Sequence, residues 1–236
     1  MTFRFAGPLI FALFAASLTL ATPRISAQSL DDLTGRDATA GLKAALDRGA
    51  ATAVASLGRT DGFWGNPKVK IPLPEQLQRA RSVLRMMGKG EEVDALELAV
   101  NRAAEQAVPQ AKVLLTNAVR SMSVDDAKQI LRGGDDSVTQ FFKAKTAPQL
   151  SERFLPIVRQ VTNRSGLAQQ YNSIAGQGAA FGLIKAEQAS IESYVTQKAL
   201  DGLFTMIAEE EKKIRSNPVA ASSEIIRRVF GALNRQ

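Results

Sequence analysis

Two acidic pairs and a short run of basic residues carry most of the chemistry this sequence could perform. Asp125, Asp126, Asp135 and Asp136 lie close together around Gly133 and Gly134. Paired carboxylates of this kind can hold Ca²⁺ or divide acid and base roles between them. Both pairs, however, stand where helices should begin, and there a carboxylate satisfies free backbone N–H groups. Their spacing matches no EF-hand loop, so capping is the expected role. Arg81 and Arg85 are four residues apart with Lys89 beyond them, and Lys68 and Lys70 lie just upstream. Neighbouring like charges on a helix repel by a few tenths of a kcal/mol, which an anion would relieve, although a solvated face needs no ligand.

The absences exclude more than these groups establish. The 236 residues contain neither histidine nor cysteine. Ser-His-Asp and Cys-His catalysis is therefore excluded, together with the usual zinc and non-haem iron sites. No GxSxG, SxxK or GxxxxGK[ST] motif occurs, and "MGKGE" at Met87 to Glu91 is too short for a phosphate loop. No catalytic residue, metal ligand or cofactor is assigned.

The elements that must position these residues read as helices. Asp37 is expected to cap a helix with Leu42, Leu46, Ala50, Ala53, Val54 and Leu57 on one face, ending near Gly58. A second should run from about Pro74 to Met87, with Leu77, Ala80, Val83, Leu84 and Met87 on one arc and Gly88 as its stop. Periodic apolar residues then persist from Val93 to Met122, with a kink or break expected at Pro109. In "SVDDAKQILRGG", Ser123 caps and Gly133 and Gly134 stop a short helix. Another should start at Asp135 or Asp136. A separate one should start at Thr146, whose spacing to Gln149 suits a capping box, bend at Pro156 and end at Gly166.

"YNSIAGQGAAFGLI", with Gly176, Gly178 and Gly182, is the poorest helix candidate and the expected joint or close packing contact. Ile191 to Arg215 forms a long helix in which Glu209–Lys213 and Glu211–Arg215 pairs support the surface. After Asn217 and Pro218 comes a last amphipathic helix with Ile225, Ile226, Val229 and Phe230. The expectation is an all-α single domain over residues 37–236, a bundle of eight or nine helices after a flexible lead-in at 28–36.

One segment breaks the helical rhythm. In "TDGFWGNPKVKIPLP", residues 60–74, Pro72 and Pro74 push Ile71 and Leu73 toward extended backbone. Val69, Ile71 and Leu73 should then face one way and Lys68 and Lys70 the other. The segment is expected to be an extended arm with an apolar underside, an edge strand or strap across helices. Either it covers core with Trp64 as a plug, or the Phe63–Trp64 turn between Gly62 and Gly65 forms the rim of a binding groove.

The chain opens "MTFRFAGPLIFALFAASLTLATPRISAQS", the pattern of a signal peptide cleaved after Ala27. Its uncharged run falls short of the roughly 20 residues a spanning helix needs. Removing it would take away Arg4 and Arg24, leaving 28 basic residues against 23 acidic ones, a net charge of +5. That mild, mixed balance suits a protein near anionic envelope polymers or lipids and argues against a dedicated nucleic-acid binder. The expected location is the periplasm or the exterior, with no membrane span and no lipid-anchoring cysteine.

The blocks "DGFWGNPKVKIPLPEQL", "NRAAEQAVPQAK", "GGDDSVTQFFK" and "YVTQKALDGLFTMIAEEEKKIRSNP" resemble the exported bacterial proteins grouped as domain of unknown function 4197, from about Leu30 to Phe230. The resemblance implies an exported helical protein of Gram-negative type bacteria and brings no catalytic role to any position. The function expected is a non-enzymatic cell-envelope binding or scaffolding protein. It would hold an apolar, amphiphilic or anionic ligand, or an envelope protein, in a groove bordered by Phe63, Trp64, Lys68, Lys70, Arg81 and Arg85. The alternatives are a carboxylate-dependent hydrolase of envelope glycan and a peripheral binder of anionic membrane.

Overall fold

Pro109 divides what would otherwise be one thirty-residue helix, and the fold is arranged around that division. The computed structural model describes the backbone of residues 35–180 and 189–216, and side chains over 39–176 and 189–216. The leader, the glycines at 178 and 182 and the last amphipathic segment lie outside the described residues, in whole or for their side chains. Among the described residues every regular element is helical: α1 Gly35–Leu57, α2 Glu75–Met86, α3 Gly90–Ala107, α4 Ala111–Arg120, α5 Val124–Arg132, α6 Ser137–Thr162, α7 Gly166–Ala180 and α8 Ile191–Ser216. No helix among them is long and apolar enough to cross a membrane.

Between α3 and α4, Val108–Gln110 tightens into a single 3₁₀ turn. Proline has no N–H to give and its ring opposes a continuous α-helix, so the break falls at Pro109. The apolar residues Val93, Leu96, Val100, Ala103, Ala107, Ala111, Leu114, Ala118 and Met122 stay buried through it. The core is continuous. α6 packs along α8, α3 and α4, while α8 also lies against α1. Phe142, Phe154, Leu150, Leu203 and Leu42 are among its fully buried side chains.

Four sequence expectations need correction. The helices expected from Asp135 or Asp136 and from Thr146 are one element, α6, so the division expected between them is absent. Thr146 does not cap. Its buried hydroxyl donates to the Phe142 carbonyl one turn back at 2.7 Å, and no glycine intervenes to stop the helix, which carries Pro148 and Pro156 inside it. Gly166 opens α7 and does not close α6, which ends at Thr162. α1 likewise begins at Gly35, two residues before the expected cap Asp37.

Ser123 does cap α5: its hydroxyl accepts from the Asp126 amide at 3.0 Å while the Asp126 carboxylate accepts from the Ser123 amide, also at 3.0 Å. That backbone hydrogen bond, and next the Ser123 hydroxyl, hold the Asp126 carboxyl below the usual carboxylate range. α6 is capped differently. Asp136 occupies its N-cap position but makes no side-chain cap bond. The acceptor comes instead from Glu211 on α8, which takes the amides of Val138 and Thr139 and the Thr139 hydroxyl, each at 3.1 Å. Arg215, one turn on, pairs with the same carboxylate at 3.1 Å and reaches the Ser137 hydroxyl at 2.7 Å. Glu211–Arg215 is thus a buried interhelical clamp, where the sequence pattern suggested only surface support.

Glu211→Ala should lower stability by about 3–5 kcal/mol, since it removes at once the acceptor of two amides and the countercharge beside a largely buried arginine. Urea unfolding measures the loss. Hydrogen exchange should show protection falling first at Val138 and Thr139, while Glu211→Gln, which keeps one acceptor, should cost less.

Candidate functional site

The residues between α1 and α2 form turns over 60–65 and 67–69 and have no regular secondary structure over 70–74. Every backbone N–H from Gly62 to Ile71 donates a hydrogen bond. Gly62 comes so close to the end of α1 that a Cβ there would stand 2.3 Å from the Leu57 carbonyl oxygen. Only glycine lets the chain fold back there. The amides of Phe63 and Trp64 then point at one oxygen of the buried Glu105 on α3, at 3.0 and 3.1 Å. The other oxygen of Glu105 takes Arg102 at 2.7 Å, and Arg102 also bonds Asp61 at 2.7 Å.

One turn earlier on α3, buried Asn101 meets Ile71. Its Oδ1 accepts the Ile71 amide and its Nδ2 donates to the Ile71 carbonyl, both at 2.8 Å. A side-chain amide carries one acceptor and two donors, so it can pair with a single residue as a neighbouring strand would. Tyr194 of α8 donates to the Pro72 carbonyl at 3.0 Å. Val69, Ile71 and Leu73 are buried; Lys68, Lys70 and Pro72 are exposed.

The six residues proposed from sequence therefore take different roles. Phe63 is fully buried, its ring seated on Gly202 of α8, where an added Cβ would lie 2.6 Å from Phe63 Cε1. Trp64 is half-buried, with the Lys70 ammonium 3.6 Å from its ring centroid. Lys68 pairs with Glu209 at 2.7 Å, which holds the Glu209 carboxyl below its ordinary range. Arg81 bonds Glu97, and Arg85 bonds Asp94 at 3.1 Å. The basic face of α2 is thus turned onto acids of α3, a pairing hidden from sequence reasoning because the partners lie on the next helix.

The apolar face of α2 is only partly covered: Leu77 and Leu84 are half-buried and pack against the core. No residue of α2 is buried. Leu77, Ala80 and Leu84 face Leu167, Tyr171, Ile174 and Ala175 of α7 across an open cleft of about 220 Å³, with Gln76 and Gln170 completing its walls. None of the six sequence-proposed residues lines it. Ile174 in its wall is 73% exposed, and elsewhere on α2 and the turn after it Val83, Met86 and Met87 are exposed as well. The signal was present in the sequence as the 120° arc of α2, but an apolar arc is ordinarily spent on the core.

Carboxylate chemistry finds little room. Glu105 and Glu211 are held as described. The third buried glutamate, Glu192, accepts the Thr162 hydroxyl and the Asn172 amide, both at 2.9 Å. Asp125 pairs with Lys128 at 3.9 Å, and Asp136 accepts from Gln140 at 3.1 Å. Among the described residues no group of three or more acidic side chains could hold a metal.

Asn101→Ala would strand both backbone groups of Ile71 and should cost about 2–4 kcal/mol at the usual cost per unpaired buried group. The urea midpoint should fall at unchanged slope. Burial, and next the neighbouring Tyr171, pushes the Tyr194 hydroxyl up to about 12 from an ordinary 10.0. A folded-state value above the unfolded one means that this contribution is whole below about pH 10 and is lost as pH rises toward 12. Tyr194→Phe should flatten that alkaline decline in a pH series of thermal melts.

No curated protein and no solved structure matches the chain. Residues 32–231 do match a family described as "Protein of unknown function (DUF4197)". That match spans most of the sequence and takes in the Gly62 turn, Asn101, Glu105, Gly202 and Glu211, and on it the chain belongs to the DUF4197 family.

Proposed function

We propose that this is an exported, non-enzymatic binding or scaffolding protein of the cell envelope, and that it holds an apolar or amphiphilic ligand, or a protein partner, in the cleft between α2 and α7. The observation that carries the reading is an amphipathic helix whose apolar face, with Leu77 and Leu84 packed only partly on the core, also borders an open cleft. Exposed apolar surface costs about 25 cal/mol per Å² relative to burial, and a contiguous patch beside a concave cleft is a feature of binding sites. Placement in the periplasm rests on the leader through Ala27 and on the mild positive charge of the remainder.

In this reading residues 60–74 act as an extended strap. Lashed to α3 and α8, they fix where α2 begins and so set one wall of the cleft. Phe63 serves as the key that locks the strap, and Trp64 with Lys70 forms its outer edge. The paired cations Arg81 and Arg85 hold α2 against α3 and so keep its opposite, apolar face free.

The test is occupancy. Protein purified from its own periplasm and extracted with organic solvent should yield a co-purifying apolar molecule. The refolded, delipidated protein should bind the dye ANS with a saturable rise in fluorescence. Ala80→Trp, which fills the cleft without touching the core, should reduce that binding at least tenfold at an unchanged thermal midpoint. Dye binding indifferent to the substitution, with nothing in the extract, would remove the basis for the reading.

A further inference from the structure

With no cysteine and no histidine in the chain, its softest nucleophiles are thioethers. Of the five methionines, Met1 lies outside the described residues. The other four fall into two classes. Met122 is 5% exposed and belongs to the core. Met206 on α8 is half-buried against that core, and its Sδ accepts from the Asn66 side-chain amide at 3.8 Å. Met86 and Met87, consecutive in the chain, are 80% and 66% exposed. The accessible sulfur among the described residues is thus gathered at one point, the end of α2.

The backbone there is settled without help from either side chain. Met86 is the last residue of α2 and Met87 its C-cap. The Met87 amide donates to the Val83 carbonyl at 3.0 Å, Gly88 to Arg85 at 3.0 Å and Lys89 to Leu84 at 2.8 Å, so the turn itself answers the last carbonyls of the helix. Gly88 closes it at φ +77°, and a Cβ built on Gly88 would meet nothing within 4 Å beyond its own chain neighbours. Open space at the turn agrees with the exposure of the two thioethers before it.

Exposure decides what such a pair can do. A thioether sulfur attacks one oxygen of a peroxide; the O–O bond breaks as the S–O bond forms, and the departing hydroxide or alkoxide takes a proton. Sulfur is oxidised by two electrons and the peroxide is reduced to water or an alcohol. The sulfoxide formed is polar, which disrupts a core but meets only water on an exposed helix end. The reverse step belongs to a thiol-dependent sulfoxide reductase, which must enclose the side chain, and an exposed helix end can be presented to it.

We propose that Met86 and Met87 form a site of reversible methionine oxidation, taking one oxygen atom per thioether from a peroxide while Met122 and Met206 are spared. The site occupies the end of α2 and stands independently of what the α2–α7 cleft holds.

The experiment is a competition for limiting oxidant. The folded mature protein is treated with hydrogen peroxide to partial conversion and cleaved at glutamates, which puts Met86 and Met87 on one peptide, residues 76–91, and Met122 and Met206 on two others. Mass spectrometry should find oxygen entering the first peptide about tenfold faster than Met122 and severalfold faster than Met206, because susceptibility follows exposure. In urea the rates should converge. The thermal midpoint of the doubly oxidised protein should match that of the untreated one, and sulfoxide reductases of both stereospecificities, with dithiothreitol, should restore both methionines without unfolding. Met86→Leu with Met87→Leu, a volume-conserving change at an exposed place, should remove the fast phase of peroxide consumption at an unchanged midpoint. Equal rates in the folded protein, Met206 reacting first, a midpoint lowered by oxidation, sulfoxides the reductases reach only after unfolding, or a fast phase that survives the double substitution would each overturn the proposal.

Discussion

Glu105 accepting the amides of Phe63 and Trp64 is the interaction on which the rest of this arrangement depends. A turn that leaves one helix and folds back over its own end exposes consecutive backbone donors, and an unpaired buried donor costs about 1–3 kcal/mol. A carboxylate answers two donors with one oxygen and keeps the other for Arg102, which returns to Asp61 in the same turn. The loop is therefore closed on itself as well as on α3. Without that closure Phe63 has no reason to stay in the notch over Gly202, Ile71 loses its register against Asn101, and α2 starts from an undefined point.

The same device recurs across the molecule. Glutamates on helices reach neighbouring elements at places where secondary structure leaves groups unpaired: Glu105 the turn after α1, Glu211 the first turn of α6, Glu192 the junction of α6 and α7 with α8. Two of the three have an arginine one turn away or less, which compensates the charge taken from water. Buried ion pairs are poor sources of net stability, because desolvation offsets most of the attraction. What they contribute here is register. Each fixes one helix against one specified partner, a task that interchangeable apolar contacts between bundle helices do poorly.

Helix existence was legible in the sequence because it depends on periodicity, which is local. The buried stripe of α3 and α4, the break at Pro109 and the Ser123 cap all follow from residues within a turn or two of one another. The misreadings share the opposite property. Thr146 has the spacing of a cap, yet its hydroxyl returns to Phe142 because the helix upstream never stops. Glu211 and Arg215 have the spacing of a surface pair, yet α6 is seated on them from more than seventy residues away in the chain. Phe63 and Trp64 were candidates for one rim, but Gly202 accepts only the first. The cleft was harder still, since among the described residues it is a gap between α2 and α7, and a gap leaves no mark on the sequence of either helix.

How α2 is held explains why its apolar face can stay open. It docks on α3 through Arg81 and Arg85 against Asp94 and Glu97, groups partly in solvent, and such pairs contribute about 0–1 kcal/mol each. With no fully buried residue of its own, the helix is placed by the chain at its two ends and by the partial packing of Leu77 and Leu84 on the core. An element fixed at its ends and weakly held along its length opens at low free-energy cost. The two walls of the cleft are therefore held differently: α7 is fastened to α8 through Asn172 and the Ile191 amide at 2.7 Å, and α2 by part-exposed ion pairs and two half-buried leucines.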